Sequence, residues 1–171
     1  MQTQYDYIIL GAGLSGLTTA LRMSRDPFFK SATIAIVDQD LNKGNDRTWC
    51  FWETAPDLYK EVVSYTWPSV LIKGYDMDQT IDISPYCYKK VESEAMYAFA
   101  KAKLSSYSNI TLIEDKVIAT DESDTQVTVN LKTQTLSAKH VLNSIYKPAI
   151  AFLGYRKICL LYTSPSPRDR G

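Results

Sequence analysis

Histidine, cysteine and net charge are what this sequence has least of. There is one histidine (His140), and there are three cysteines (Cys50, Cys87 and Cys159) in 171 residues. That leaves no His/Cys spacing suited to a metal ion and no even set of cysteines for a disulfide framework. The odd thiols fit a reducing cytoplasm. Lysine plus arginine and aspartate plus glutamate each number 19, so no basic footprint marks a nucleic-acid partner, and none is expected. No apolar run approaches the roughly 20 residues of a membrane span. The polar lead Met1-Gln2-Thr3-Gln4 runs into the first strand without the pattern of a signal peptide. With 45% hydrophobic and 22% charged residues, the composition is that of an ordinary globular chain long enough for one real core.

The informative stretch is Tyr5 to Ala20. A short apolar run, Tyr7 to Leu10, leads into Gly11-x-Gly13-x-x-Gly16, and Leu14, Leu17 and Leu21 follow at helical spacing. Strand, glycine turn and helix in that order point to dinucleotide binding. Gly11 lets the chain turn off the strand, Gly13 lets backbone approach a pyrophosphate, and Gly16 lets helix and strand pack closely. The helix N-terminus offers free N–H groups and a partial positive charge to phosphate. Ala32 to Val37 reads as a second buried strand ended by Asp38. An acid at that distance is placed to accept hydrogen bonds from ribose hydroxyls, and its charge opposes the extra phosphate of NADP.

Beyond a polar loop, Gln39 to Asp46, two tryptophans, a phenylalanine and Arg47 crowd into Asn45 to Glu53. This segment reads either as a core strand capped by an ion pair or as chain leaving the nucleotide domain to line a flavin and substrate region. Pro56 to Tyr65 is expected to be helical, with Leu58, Val62 and Val63 on one side. Strands are expected at Ser69 to Lys73, Thr80 to Ser84 and Tyr86 to Val91, making residues 46–92 an antiparallel insertion. Ser93 to Ser105 is expected to be a helix with Ser93 as N-cap. A strand at Asn109 to Ile113 follows, then a meander of Lys116 to Ala119, Gln126 to Leu131 and Gln134 to Ala138. His140 to Ile145 is expected to return as a separate last strand, with His140 structural or exposed. The layout predicts an α/β, Rossmann-like FAD-binding domain formed by residues 1–45 and 93–147: a βαβ start, an antiparallel insertion and a three-stranded meander.

The glycine motif with Ala20, the block Asn45-Asp46-Arg47-Thr48-Trp49-Cys50-Phe51-Trp52, and Ser84-Pro85-Tyr86-x-Tyr88 running into a helix with Tyr97 together resemble the N-terminal part of bacterial lycopene β-cyclases. The resemblance covers about residues 5 to 147. It implies a fold like that of flavin monooxygenases and a redox-neutral cyclisation of the ends of lycopene into β-ionone rings, dependent on reduced FAD, with NAD(P)H a candidate electron donor. An acid protonates the terminal double bond, the carbocation is attacked internally, and a proton is lost in a pocket that excludes water. The substrate, lycopene or a related linear carotenoid, implies a cytoplasmic enzyme that makes peripheral contact with the inner face of the membrane.

For the cofactor, the expected contacts are Gly11, Gly13 and Gly16 with the pyrophosphate and Asp38 with the adenosine ribose. Arg47 is expected at a phosphate or the flavin, and the backbone of Val117 at adenine by analogy with related folds. No metal site is expected. The family's Phe-x-Glu-Glu-Thr acid segment and second flavin motif do not occur here, so the catalytic acid is not assigned. Asp46, Glu53 and Asp57, the carboxylates nearest the aromatic block, are not promoted to that role. Residues 148–158 are read as the start of a C-terminal half that is missing. Cys159 to Asp169 matches a translated sequencing adapter, so 159–171 is read as a non-native tail and the chain as a truncated, inactive piece. The rival readings are another FAD enzyme, a monooxygenase or prenyl-chain reductase, and a non-catalytic nucleotide-binding fragment.

Overall fold

The computed structural model describes residues 3–145; the expectations for 148–158 and 159–171 lie outside them. In chain order the elements are β1 (Thr3–Leu10), α1 (Leu14–Arg25), a 3-10 turn (Pro27–Phe29), β2 (Ile34–Asp38), β3 (Thr48–Glu53), β4 (Val63–Trp67), β5 (Ser69–Gly74), β6 (Met77–Asp82), β7 (Cys87–Glu92), α2 (Ser93–Leu104), β8 (Ile110–Glu114), β9 (Val117–Glu122), β10 (Val127–Leu131) and β11 (Thr135–Asn143). Six strands form one sheet in the order β8-β2-β1-β11-β10-β9. Its first four strands are parallel, and β10 and β9 continue it antiparallel. This is the α/β architecture expected.

Alternation along β1 and β2 divides the core between two faces. Ile9, Ile34 and Ile36 pack with Leu17, Ala20 and Leu21 of α1 and with Met96, Ala100 and Leu104 of α2. Ile8, Leu10, Ala35 and Val37 pack with Val129, Leu131, Leu136 and Ala138 from β10 and β11. α1 stops at Asp26, whose backbone is extended (φ −87°, ψ 122°) and whose carboxylate accepts from Phe28 N–H at 2.9 Å over the turn begun by Pro27. Between β2 and α2 lie a three-stranded antiparallel sheet, β3-β7-β4, and the hairpin β5-β6.

Three local expectations are corrected. Pro56 to Tyr65 is not a helix. Buried Leu58 anchors a turn closed by Val62 N–H to Tyr59 O at 2.9 Å. The following Val-Ser-Tyr-Thr-Trp, rich in β-branched and aromatic residues, pairs with β7 as a strand. Ser93 is not the N-cap of α2; Glu92 is. The Ser93 hydroxyl instead accepts from Arg47 N–H at 3.0 Å and lies 3.2 Å from Gly44 O, tying α2 to the loop before β3. The last meander strand and the return strand are one element. β11 pairs with β10 through Thr135 to Ala138 and with β1 from Leu136 to Asn143. Beyond Ala138 one of its edges has no strand beside it among the described residues, and Lys139 and His140 are exposed and interrupt the apolar pattern. His140 stacks on Tyr7, with ring centroids 5.1 Å apart.

Asp6 joins β1 to both neighbours: its carboxylate accepts from Lys139 Nζ at 2.8 Å and from Thr33 N–H at 2.9 Å. The lysine bond, followed by the Thr33 bonds, pulls its pKa from 3.8 to about 2. A lowered carboxyl pKa gives stability that is present above about pH 4 and lost as pH falls toward 2. Thermal melts should therefore show the wild-type protein losing stability over that range, and Asp6→Asn should shrink the loss. An Asn variant with the unaltered acid profile would remove Asp6 as its source.

Candidate nucleotide site

The glycine turn has the shape its spacing predicts. Gly11 takes φ +96°, a left-handed conformation, and its N–H donates to Val37 O at 2.7 Å, locking the turn against the end of β2. A Cβ on Gly16 would stand 1.9 Å from Gly11 O, so only hydrogen fits where α1 crosses the turn. A Cβ on Gly13 would meet nothing within 4 Å. Gly13 borders open space, and the helix it precedes has no side-chain cap and no acid in its first turn. Uncapped N–H groups beside a glycine with free room suit an incoming anion.

Asp38 closes the same site. Its side chain is only 11% exposed. Oδ2 accepts from Ala12 N–H at 2.6 Å and from Lys43 Nζ at 2.6 Å, and Oδ1 accepts from Asp40 N–H at 3.0 Å. Lys43 lies over the Tyr97 ring at 5.7 Å, with Nζ 3.4 Å from Ala12 O. Ala12, Leu17, Leu41, Lys43, Tyr97 and Lys101 line a small pocket here. Lys101 donates to Asn42 Oδ1 at 2.7 Å, and Glu114 Oε2 accepts from Leu41 N–H at 3.0 Å, so the loop after β2 is held from both sides.

Tyr97 is buried, and its hydroxyl donates to Asp46 Oδ1 at 3.3 Å. Burial first, then the charge of Asp46, pushes its pKa up to about 12, with nearby Arg47 opposing. The folded state therefore keeps the phenol neutral to higher pH than the unfolded chain does. That contribution to stability is complete below about pH 10 and is lost as pH rises toward 12. Tyr97→Phe should flatten the alkaline fall in melting temperature; a fall as steep as in the wild type would show that other groups cause it.

The expected site residues separate into two groups. Gly11, Gly13, Gly16 and Asp38 meet at the C-terminal end of the parallel strands. Val117 packs against the core cluster that holds Leu10 and Val37, the last apolar residues of β1 and β2, and Asp115, two residues before it, donates its N–H to Asp38 O at 2.9 Å. Arg47 stands apart: its side chain is exposed and pairs with Asp46 at 3.5 Å, and its backbone is bound to Ser93. Lys43 was not singled out from the sequence, and Tyr97 entered only through a resemblance. A lysine five residues after the strand-ending acid is the available signal for the first.

The aromatic block is used on both faces of β3. Trp49 packs edge-on to Tyr97 and Phe51 onto Tyr59, as core. Trp52 turns outward, where Trp52, Tyr88, Trp67 and Tyr65 form a row with neighbouring centroids 4.8, 5.7 and 4.6 Å apart. The nearby carboxylates are all engaged: Glu53 with Lys89 at 2.5 Å, Asp57 with Arg22 at 3.1 Å, and Asp46 with Tyr97 and Arg47.

A family model described as lycopene cyclase protein matches residues 6–159. The chain belongs to the lycopene cyclase family. No curated protein matches it. Among solved structures, this lycopene cyclase family chain is similar to p-nitrophenol 4-monooxygenase PnpA from Pseudomonas putida DLL-E4, at 16% identity and TM-score 0.63 over 84% of the chain and 41% of PnpA. It is also similar to PqsL, a probable FAD-dependent monooxygenase from Pseudomonas aeruginosa, at 13% identity and TM-score 0.59 over 81% of the chain and 42% of PqsL. Halogenase PltM, solved with phloroglucinol and FAD, gives 11% identity and TM-score 0.57 over 82% of the chain and 34% of PltM. The chain spans about two fifths of the length of the first two and a third of the last, and these likenesses concern the fold. Among the described residues no helix is long and apolar enough to cross a membrane, and no cluster of His, Cys, Asp and Glu could hold a metal ion.

Proposed function

We propose that this chain is the FAD-binding part of an enzyme that cyclises the ends of lycopene, or a related linear carotenoid, into β-ionone rings. The observation that carries the reading is the family match over residues 6–159, joined to a glycine turn whose Ala12 N–H is bound to Asp38 at 2.6 Å. The residues fit the cofactor: Gly13 leaves room where a pyrophosphate would lie, α1 offers uncapped N–H groups, and Asp38 offers acceptors to a ribose. The backbone at Val117 is the adenine contact in this reading, and Arg47 a phosphate or flavin contact.

FAD held by Gly13, the start of α1 and Asp38 would serve in its reduced form while the net reaction transfers no electrons, with NAD(P)H the candidate electron donor. A proton adds to the terminal double bond, a ring C–C bond forms, and a proton leaves the ring, so substrate and product are isomers. Asp46, Glu53 and Asp57 hold or neutralise neighbouring side chains in this scheme, and the proton donor is supplied from elsewhere. The outward row of Trp52, Tyr88, Trp67 and Tyr65 lines the substrate region and helps exclude water from the cation. The enzyme works on the cytoplasmic side, touching the inner membrane face to collect its substrate.

The test is to read the gene across codon 158 from its source DNA, express the protein that it encodes in lycopene-accumulating cells, and analyse the pigments. Ring-bearing product is expected. Unchanged lycopene from a protein that binds FAD would sink the cyclase reading and leave a different flavin enzyme.

A further inference from the structure

Asp38 is already heavily used as an acceptor. A carboxylate offers about four lone-pair positions, and three are taken: two on Oδ2, by Ala12 N–H and Lys43, and one on Oδ1, by Asp40 N–H. A ribose diol needs two. Ala12 and Asp40 donate from backbone fixed by the glycine turn and by the turn after β2, so neither can withdraw without refolding its loop. Lys43 donates from the end of a flexible four-carbon stem and is the one donor able to leave. Its alternative partner is close at hand, because Nζ lies 3.4 Å from Ala12 O, beside the open space at Gly13 and the uncapped start of α1.

We propose that Lys43 is a specificity-determining residue of the nucleotide site, exchanging Asp38 for the pyrophosphate and so making the site require a diphosphate. The proposal rests on the FAD-binding reading. A nucleoside without phosphate must compete with the ammonium for Asp38 and offers it nothing in return. A nucleoside diphosphate frees Asp38 for its diol and gives the ammonium a doubly charged partner. After the exchange the ammonium is paired with phosphate, and the carboxylate keeps hydrogen bonds from Ala12 N–H, Asp40 N–H and the diol, so no polar group is left without a partner where the Lys43 and Asp38 side chains are only 21% and 11% exposed.

The consequence is a pair of effects of opposite sign. Equilibrium binding of FAD, ADP and adenosine is measured on the full 171-residue chain, for the wild type and for Lys43→Met. ADP and FAD should bind about tenfold more weakly to the variant, the size of one lost charge-assisted contact. Adenosine should bind as well or a few-fold better. A defect of folding alone would lower all three, and equal or unchanged affinities across the ligands would overturn the proposal. Lys43→Arg, which keeps the charge and the fold, should keep the preference for ADP over adenosine. The wild type gives a second check: raising salt from about 0.05 M to about 0.5 M should shrink that preference as both ion pairs are screened. A preference indifferent to salt would count against the exchange. Wild-type protein that binds neither FAD nor ADP would instead overturn the nucleotide-site reading itself.

Discussion

Gly16→Ala should cost the protein about 3 kcal/mol of stability or more, at the top of the range for overpacking. The added methyl would lie 1.9 Å from Gly11 O and 2.9 Å from Ser144 Oγ. Ser144 could turn away, but the Gly11 carbonyl belongs to the turn itself. It cannot retreat while Gly11 N–H stays bound to Val37 and Ser144 N–H to Leu10. α1 would have to lift from β1, breaking the contacts of Leu17, Ala20 and Leu21 with Ile9 and Ile36. Gly13→Ala is the control that separates shape from binding. Its φ of −88° suits any residue, and its Cβ meets nothing, so the melting temperature should hold while FAD binding is lost to the methyl standing in the phosphate's space. Thermal melts and flavin titrations of the two variants check both halves. A stable Gly16→Ala protein would mean that helix and turn tolerate separation, and a Gly13→Ala protein with full affinity would mean that the cofactor does not approach there.

Asp38→Ala should lower FAD affinity by about one to two orders of magnitude, the worth of a charged acceptor lost to a ribose diol. It should also destabilise the protein, because Ala12 N–H and the Lys43 ammonium lose an acceptor together in a part-buried place. Asp38→Asn separates these effects. The amide oxygen can still accept from Ala12 N–H, so the fold should survive while affinity falls, as read by quenching of flavin fluorescence. Asn and Ala variants that both bind FAD as the wild type does would remove Asp38 from the site.

What was legible in the sequence was what depends on near neighbours. β1, the glycine turn, α1 and β2 form from one contiguous stretch, and each glycine's role follows from the turn's own geometry. The first two meander strands and α2 were equally visible, since their apolar periods are their own, whereas the third was cut short at Ala138, where the pairing with β10 ends. The misreadings arose where a distant partner decides. Val62 and Val63 fit a helical face until β7 is present to pair with the strand that Val63 begins. The ring and hydroxyl of Tyr97 meet Lys43 and Asp46, 54 and 51 positions away in the chain, and no local pattern announces such a meeting. Ser93 looked like a cap because serine before a helix usually is one, but its hydroxyl is taken by Arg47, 46 residues earlier. Asp38 was legible as the acid that ends β2; that it shares its carboxylate with Lys43 was not.

The position of β11 bears on how the protein is made. Of the described strands β1 is the first to leave the ribosome, yet the neighbour on its far side is the last of them, and Asp6 and Lys139 are 133 residues apart. At ordinary elongation rates that gap lasts on the order of ten seconds. Throughout it the nascent chain has Ile8, Ile9 and Leu10 flanked on one side only. Tertiary structure cannot close from the N-terminus forward as each segment appears; it closes when residues 135–143 emerge and slide between two strands already in place. The six-stranded sheet is thus obliged to wait for residue 143 before it can close around β1.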